Sequence, residues 1–387
     1  MTVATLKEIK DNENRVGLTP QGVRELVANN QRVIVEKGAG DGSGFSNAEY
    51  TSAGAELMDD PRAIVTAADI LVKVKEPLPS EYPLLKNFSG KTLFTYLHLS
   101  GVDPKLTDAL VENNITAIAY ETVEDEKGLL PLLAPMSEVA GVLAVQYGAE
   151  YLQRKYGGRG ITLGAITGTD SARVVVMGGG VVGATAARTA TGMGSHVQLF
   201  DINQSRVDAL NADVRKHLGP ALGGNFEAVM SGKDRLDEAL RAADLVVGAV
   251  LVAGAKDPVV VSEEQVKEMK NGAVVVDVSI DQGGCIWGSR ATSHSKPTYE
   301  LHGKVYCCVP NMPGQVSRQS TLALTAATLP YLVRMAGEGV EAMLKASLKK
   351  DGRFAQGLNV CKGRITRESV AKDLGKTGAY TPAKELL

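Results

Sequence analysis

Aromatic residues make up only 5% of this chain of 387 residues, with a single tryptophan. Its four cysteines, Cys285, Cys307, Cys308 and Cys361, show no C-x-x-C spacing. That argues against a disulfide framework or a zinc ribbon and for buried thiols in a reducing compartment. The five histidines, His98, His196, His217, His294 and His302, lack ligand-like spacing as well, so no metal is expected. A net charge of −2 gives no basis for a nucleic-acid partner. No uninterrupted apolar run reaches the length of a membrane span. The opening residues, MTVATLKEIKDNENR, are charged throughout and hold no apolar signal core. These absences lead to the expectation of a soluble, cytoplasmic protein.

What is abundant is glycine, with 42 residues, alongside a 44% apolar fraction that suffices for two buried cores. Val3–Ile9, Arg32–Glu36, Asp69–Val74, Thr92–Leu97 and Ile115–Tyr120 read as strands. Thr19-Pro20 opens a helix to about Asn29, with threonine as N-cap and proline at the first helical position. Asp103–Asn113 reads as an amphipathic helix and Pro135–Tyr156 as one long helix. A second series follows, with strands Arg173–Met177, His196–Phe200, Phe226–Val229, Asp244–Val250 and Ala273–Val278. Helices such as Asp234–Ala243 and Glu263–Lys270 separate them. One long helix is expected from about Val316 to Leu344, and the tail from Lys349 is charged and weakly patterned. Strands separated by helices imply crossover connections and largely parallel sheets.

The sharpest local signal is ARVVVMGGGVVGATAARTATGMGSHVQLFD. A β-branched strand runs directly into Gly178, Gly180 and Gly183, a G-x-G-x-x-G series, and then into a helix of small residues. The first glycine permits the tight turn, the second lets a pyrophosphate reach the backbone, and the third lets helix and strand pack closely. The next strand ends in Asp201, 18 residues after Gly183. A carboxylate there accepts hydrogen bonds from both ribose hydroxyls and repels a 2′-phosphate, which favours NAD over NADP. Arg206 is equally a residue that tolerates a phosphate and an ordinary solvated helix residue. The expected fold is α/β, with two doubly wound Rossmann-like domains joined by long helices. Residues 135–309 form an NAD-binding domain inserted into a substrate domain of residues 1–134 and 310–387.

Ligands of open parallel sheets bind outside the carboxyl ends of the strands. Polar residues expected there are Arg15, Lys75, His98 and Glu121 in the first series, Asp281 in the second, and Asn311 at the junction. Each has a plain structural alternative: Arg15 a surface arginine, Lys75 and Lys73 solvated strand ends, His98 a core histidine, Asp281 a turn residue. Together, an arginine, a lysine, a histidine and an aspartate beside a nicotinamide site point to chemistry.

At these residues the chain resembles the alanine dehydrogenase family, which is related to the NAD-binding subunit of transhydrogenase and, more distantly, to saccharopine dehydrogenases. The resemblance spans nearly the whole length. It rests on ENRVGLTPQGV, GAGDGSGF, LVKVKEPL, LFTYLHL, AYETV, LPLLAPMSEVAG, GGGVVG, LFDIN, GAVLVAGAKDP, VVVDVSIDQGGC and VPNMPGQV. It implies reversible NAD-dependent deamination of L-alanine to pyruvate and ammonia. By the same resemblance Arg15 and Lys75 bind substrate, and His98 and Asp281 form the catalytic pair. Ser137, Asp201, Arg206 and Val250 line the NAD site, and Asn311 and Met312 close over its nicotinamide side. A homo-oligomer, often a hexamer, is implied too. Two departures from relatives are the loop GGGVVG in place of GAGTAG, which keeps the key glycines, and Arg206 in place of lysine. The rival readings are a transhydrogenase-like NAD-binding subunit, a non-catalytic NAD sensor, and another amino-acid dehydrogenase.

Overall fold

The alternating apolar runs become the inner strands of two sheets, each in its own unit. The computed structural model describes residues 1–250 and 257–387, so the LVAGAK portion of GAVLVAGAKDP lies outside the described residues. Met1–Met136 with Gly314–Leu387 form the first unit, and Ser137–Pro313 the second.

The first unit begins with β1 (Thr2–Thr5), β2 (Arg32–Glu36), β3 (Glu56–Met58), β4 (Ile70–Val72), β5 (Thr92–Thr95) and β6 (Thr116–Ala119). The second unit contains β7 (Arg173–Met177), β8 (His196–Asp201), β9 (Phe226–Met230), β10 (Leu245–Gly248), β11 (Val274–Asp277), β12 (Thr298–Leu301) and β13 (Lys304–Cys307). The returning chain adds β14 (Leu358–Cys361) and β15 (Arg364–Ile365) to the first.

Among the described residues, the first sheet runs β15-β14-β6-β5-β4-β1-β2-β3 and the second β12-β13-β11-β10-β7-β8-β9. The pairings are parallel except those of β14 with β6 and β15, and of β12 with β13. Each sheet therefore starts at its middle, winds one way, then returns to wind the other way. This is the doubly wound order, with a switch point between β1 and β4 in one sheet and between β7 and β10 in the other. Register places Ala4 beside Ile34 and Leu71, Leu71 beside Leu93, and Leu93 beside Ala117. These residues share one buried face and one core cluster. Val175, Val246 and Val275 form the equivalent row in the second sheet.

The two expected Rossmann-like sheets are thus present, but several elements differ from the sequence reading. β1 stops at Thr5, where the chain leaves the ladder and the Lys7 N–H turns to the Glu36 carboxylate. The long helix beginning near residue 135 is Ala134–Tyr151, and Arg154–Tyr156 is a separate 3-10 turn. The expected helix from Val316 to Leu344 is two helices, Ser317–Glu338 and Val340–Lys350. Gly339 separates them at φ 91°, a left-handed conformation that ends a right-handed helix. The weakly patterned tail from Lys349 nonetheless contributes a strand: β14 pairs with β6, burying Leu358 and Val360.

Lys73 also overturns its reading as a solvated strand end. It is 1% exposed. Its ammonium lies 2.9 Å from Glu81 Oε1 and 3.2 Å from Glu8 Oε2. Burial alone would lower its pKa, but the two carboxylates more than reverse this and raise it above the ordinary lysine value. A cation whose folded pKa is raised stabilises fully below its unfolded pKa, about 10.4, and loses that stabilisation as pH rises further. Removing one member of such a cluster leaves buried charge without compensation, which costs about 3–5 kcal/mol. Lys73→Met is therefore expected to lower stability by about that amount in urea unfolding at pH 7. The wild-type midpoint should fall above about pH 10, a dependence the variant lacks. A loss under about 1 kcal/mol would show that the cluster is not a structural requirement.

Candidate functional site

In the first unit the functional candidates follow adjacent strands. Arg15 lies in the connection after β1, Lys75 follows β4, and His98 follows β5. Because β1, β4 and β5 are neighbours, their carboxyl ends are neighbours too. Arg15 is not a surface arginine: it is 2% exposed. Its Nε donates to Glu13 Oε1 at 2.7 Å, Nη2 binds the other Glu13 oxygen, and Nη1 approaches Met136 Sδ at 3.0 Å. A bidentate partner of this kind fixes the plane of the guanidinium. Lys75 is half-buried, and burial, with the neighbouring cations Arg15 and Lys10, pushes its ammonium below the ordinary lysine range. Two cations crowded in this way stabilise an anion placed beside them.

Two carboxylates hold the backbone of these strand ends. Glu8 is buried and accepts the N–H groups of Val74 at 2.6 Å and Lys75 at 3.3 Å. Glu121 accepts the His98 N–H at 2.7 Å and the Leu97 N–H at 3.3 Å. His98 adopts φ 47°, a left-handed conformation rare for a residue with a side chain. Strain of this type concentrates at functional positions, where surrounding contacts enforce it. The His98 side chain is 42% exposed, which excludes the core reading. Its ring stacks on Tyr96 with centroids 5.6 Å apart.

The second unit carries the nucleotide cradle. Gly178 has φ 96°, and a Cβ there would lie 2.6 Å from the Ala249 carbonyl oxygen. A Cβ on Gly183 would meet the Gly178 carbonyl oxygen at 1.9 Å. Among the described residues, a Cβ on Gly180 would have only Arg206 Nη1 within reach, at 4.0 Å. Gly180 is also the N-cap of the helix Val181–Gly192, and among the described residues no side chain makes a capping hydrogen bond there. These are the separate features that a dinucleotide-binding turn requires, and a helix start without a side-chain cap suits an anion.

Asp201 Oδ2 accepts the Gly179 N–H at 2.6 Å and its Oδ1 the Asn203 N–H at 2.8 Å. This fixes the carboxylate beside the glycine turn. Arg206 folds back over the same turn, with Cδ 3.2 Å from where a Gly179 Cβ would be. Arg206 is exposed there, so its placement is compatible with both the cofactor reading and a solvated helix residue. Ser137 lies one helical turn before Gly141, on the same face of Ala134–Tyr151. A Cβ on Gly141 would meet the Val182 carbonyl oxygen at 2.5 Å, so this face packs against the start of the phosphate-facing helix. Val250 is half-buried and its carbonyl oxygen accepts the Ser279 hydroxyl at 2.6 Å. Asn311, at φ 54°, and the buried Met312 close the second unit's stretch of chain. These features fit NAD.

Comparison with known proteins bears on the whole chain. Residues 4–140 match the Alanine dehydrogenase/PNT N-terminal domain and residues 144–368 its C-terminal domain. The chain belongs to the alanine dehydrogenase/PNT family. An alanine dehydrogenase of Bacillus subtilis (strain 168) is 47% identical over 388 residues, covering 100% of this chain and 98% of the relative. A solved L-alanine dehydrogenase structure superposes with a TM-score of 0.89 at 43% identity, covering 97% of this chain and 100% of that one. A transhydrogenase from Sinorhizobium meliloti matches with a TM-score of 0.76 over 95% of this chain and 99% of that one, and at 23% identity it shows the shared fold alone.

Within this family frame, Asp281 sits exposed in a 3-10 turn, Val278–Gln282, just beyond β11. The sequence reading passed over Asp277, the last residue of β11, which is fully buried. It also passed over Glu8 and Glu13. A lone acid in an apolar run such as VVVDVSI, or two acids in a polar stretch, has no periodicity to mark it. Among the described residues no group of histidine, cysteine, aspartate and glutamate could hold a metal ion. No described helix is long and apolar enough to cross a membrane. All four cysteines are buried free thiols.

The cradle gives a direct test. Gly183→Ala would force a Cβ into the Gly178 carbonyl, so NADH affinity is expected to fall by at least about tenfold, a loss of about 1.4 kcal/mol. Fluorescence titration of the folded variant with NADH measures it. An unchanged dissociation constant would remove this turn from the cofactor site.

Proposed function

We propose that the chain is an NAD-dependent enzyme that reversibly deaminates L-alanine to pyruvate and ammonia. The observation that carries this reading is full-length likeness to alanine dehydrogenases, with the glycine cradle and its ribose carboxylate intact. NAD, when bound, supplies the acceptor for the hydride that leaves the substrate Cα.

Arg15 and Lys75 bind the substrate carboxylate and its carbonyl end, and the cost of crowding two cations is relieved when that anion arrives. Loss of hydride leaves an iminium on the substrate. Asp281 orients a water molecule toward that carbon and stabilises the positive charge. His98 takes one proton from the water as it adds, returns it to the departing nitrogen, and takes the remaining hydroxyl proton as the carbonyl forms, so ammonia leaves and pyruvate remains. Glu121 keeps the His98 backbone in place while this happens. Ser137, Gly178, Gly180, Gly183, Asp201, Arg206, Val250, Asn311 and Met312 hold the cofactor. Asp201 selects NAD by repelling the 2′-phosphate of NADP. The family resemblance further supports a homohexamer working in the cytoplasm on small molecules alone.

NADH oxidation by the purified protein tests the activity, and it should require both pyruvate and ammonium. NADPH in place of NADH should be turned over slowly. NADH binding with no turnover on pyruvate and ammonium would overturn the reading. For the residues, His98→Ala and Asp281→Ala are each expected to cut kcat by at least about 100-fold, the usual scale for lost acid–base catalysis. NADH affinity should stay within a few-fold. Near-normal turnover in either variant would reject its catalytic role.

A further inference from the structure

We propose that Asp277 is a positioning residue for Asp281, and that its carboxylate acts as a staple closing the loop that carries it. The proposal rests on the deamination reading above. Asp277 ends β11 and is 0% exposed. Its Oδ1 accepts the Ser279 N–H at 3.1 Å. Its Oδ2 accepts the Cys285 N–H at 2.9 Å, the Ile286 N–H at 3.0 Å and the Ser289 hydroxyl at 2.6 Å. Cys285 Sγ lies 3.7 Å from Oδ1. One carboxylate therefore binds the backbone at both ends of the segment from Ser279 to Ile286, and Asp281 stands inside it.

Two further features show that the enclosure is built around this group. The loop turns back through Gly283 at φ 101° and Gly284 at φ 80°. A Cβ on Gly284 would lie 2.9 Å from Asp277 Oδ2, and one on Gly248, the last residue of β10, 2.7 Å from Oδ1. Only glycine leaves room for the carboxylate on both sides. Burial pushes the Asp277 carboxyl above the ordinary carboxylate range, while the Ser289 hydroxyl and the backbone N–H groups pull it back. The donors thus replace water around a carboxylate that the mechanism itself never uses. Backbone donors on two separate stretches, with the Ser289 hydroxyl, also make the loop's shape depend on both carboxylate oxygens accepting.

An exposed aspartate on a loop of this length has no packing of its own to hold it, and an error of about 1 Å in a reacting group's position costs about 100-fold in rate. In Asp277→Asn the amide keeps the shape but turns one acceptor into a donor facing an N–H or hydroxyl. The expected result is a 10- to 100-fold fall in kcat, on the scale of such misplacement, with NADH affinity within about threefold. Ser289→Ala removes a single donor and should fall between wild type and Asp277→Asn. A merely structural Asp277 would instead lower the melting temperature and leave the kcat of the folded protein at the wild-type value, which would overturn the proposal. Amide hydrogen exchange of residues 279–286 reads the staple without any turnover. Exchange should quicken there in Asp277→Asn and stay unchanged in the Gly178–Gly183 turn. Unchanged exchange in the 279–286 segment would also overturn the proposal. Failure of the wild type to oxidise NADH with pyruvate and ammonium would reject the deamination reading, while the exchange result would still decide whether the staple exists.

Discussion

Where a parallel strand ends, its ladder of hydrogen bonds ends too, and the next backbone N–H groups need other partners. Four carboxylates meet this need at the functional edges of the two sheets. Glu8 takes the N–H groups of Val74 and Lys75 beyond β4. Glu121 takes those of Leu97 and His98 beyond β5. Asp201 takes that of Gly179 beyond β7, and Asp277 those of the loop beyond β11. A charged acceptor binds backbone donors more strongly than a neutral one, so these loops gain rigidity without regular structure. Candidate catalytic and cofactor residues then sit on backbone fixed from the side.

Such acceptors carry a cost, since a buried carboxylate must recover what it loses on leaving water. The first unit answers with cations: Lys73 between Glu8 and Glu81, and Arg15 against Glu13. The second unit answers with neutral donors around Asp277. The difference suits the neighbourhoods. A substrate carboxylate needs positive charge nearby, and Arg15 and Lys75 stand at the same edge. Asp277 lies among apolar strands where an added cation would itself need a partner.

Much of this was legible in the chain itself. The alternation of apolar strands with helices, and G-x-G-x-x-G directly after VVVM with Asp201 closing the next strand, determined two doubly wound sheets and a dinucleotide site. These signals are local, because strand period, tight turns and helix starts depend on near neighbours. The same holds for Arg15, Lys75, His98 and Asp281 as residues at strand ends. Their long motifs carried the family.

The sequence could not place what depends on distant partners. Lys73 and Lys75 are two residues apart just beyond β4, yet only tertiary packing sends the first between Glu8 and Glu81 and leaves the second beside Arg15. Leu358 and Val360 show little pattern, and become a strand because β6 offers an unpaired edge. Gly339 looks like any helical glycine until the chain turns there. Asp277 reads as an interruption of a valine run, and becomes an anchor only when Cys285, Ile286 and Ser289 fold back onto it. The chain by itself thus determined the sheets, the cofactor turn and the reactive residue types. Tertiary structure alone decided which carboxylates hold them in place, since a buried charge takes its role from whatever donors the fold brings within hydrogen-bonding distance.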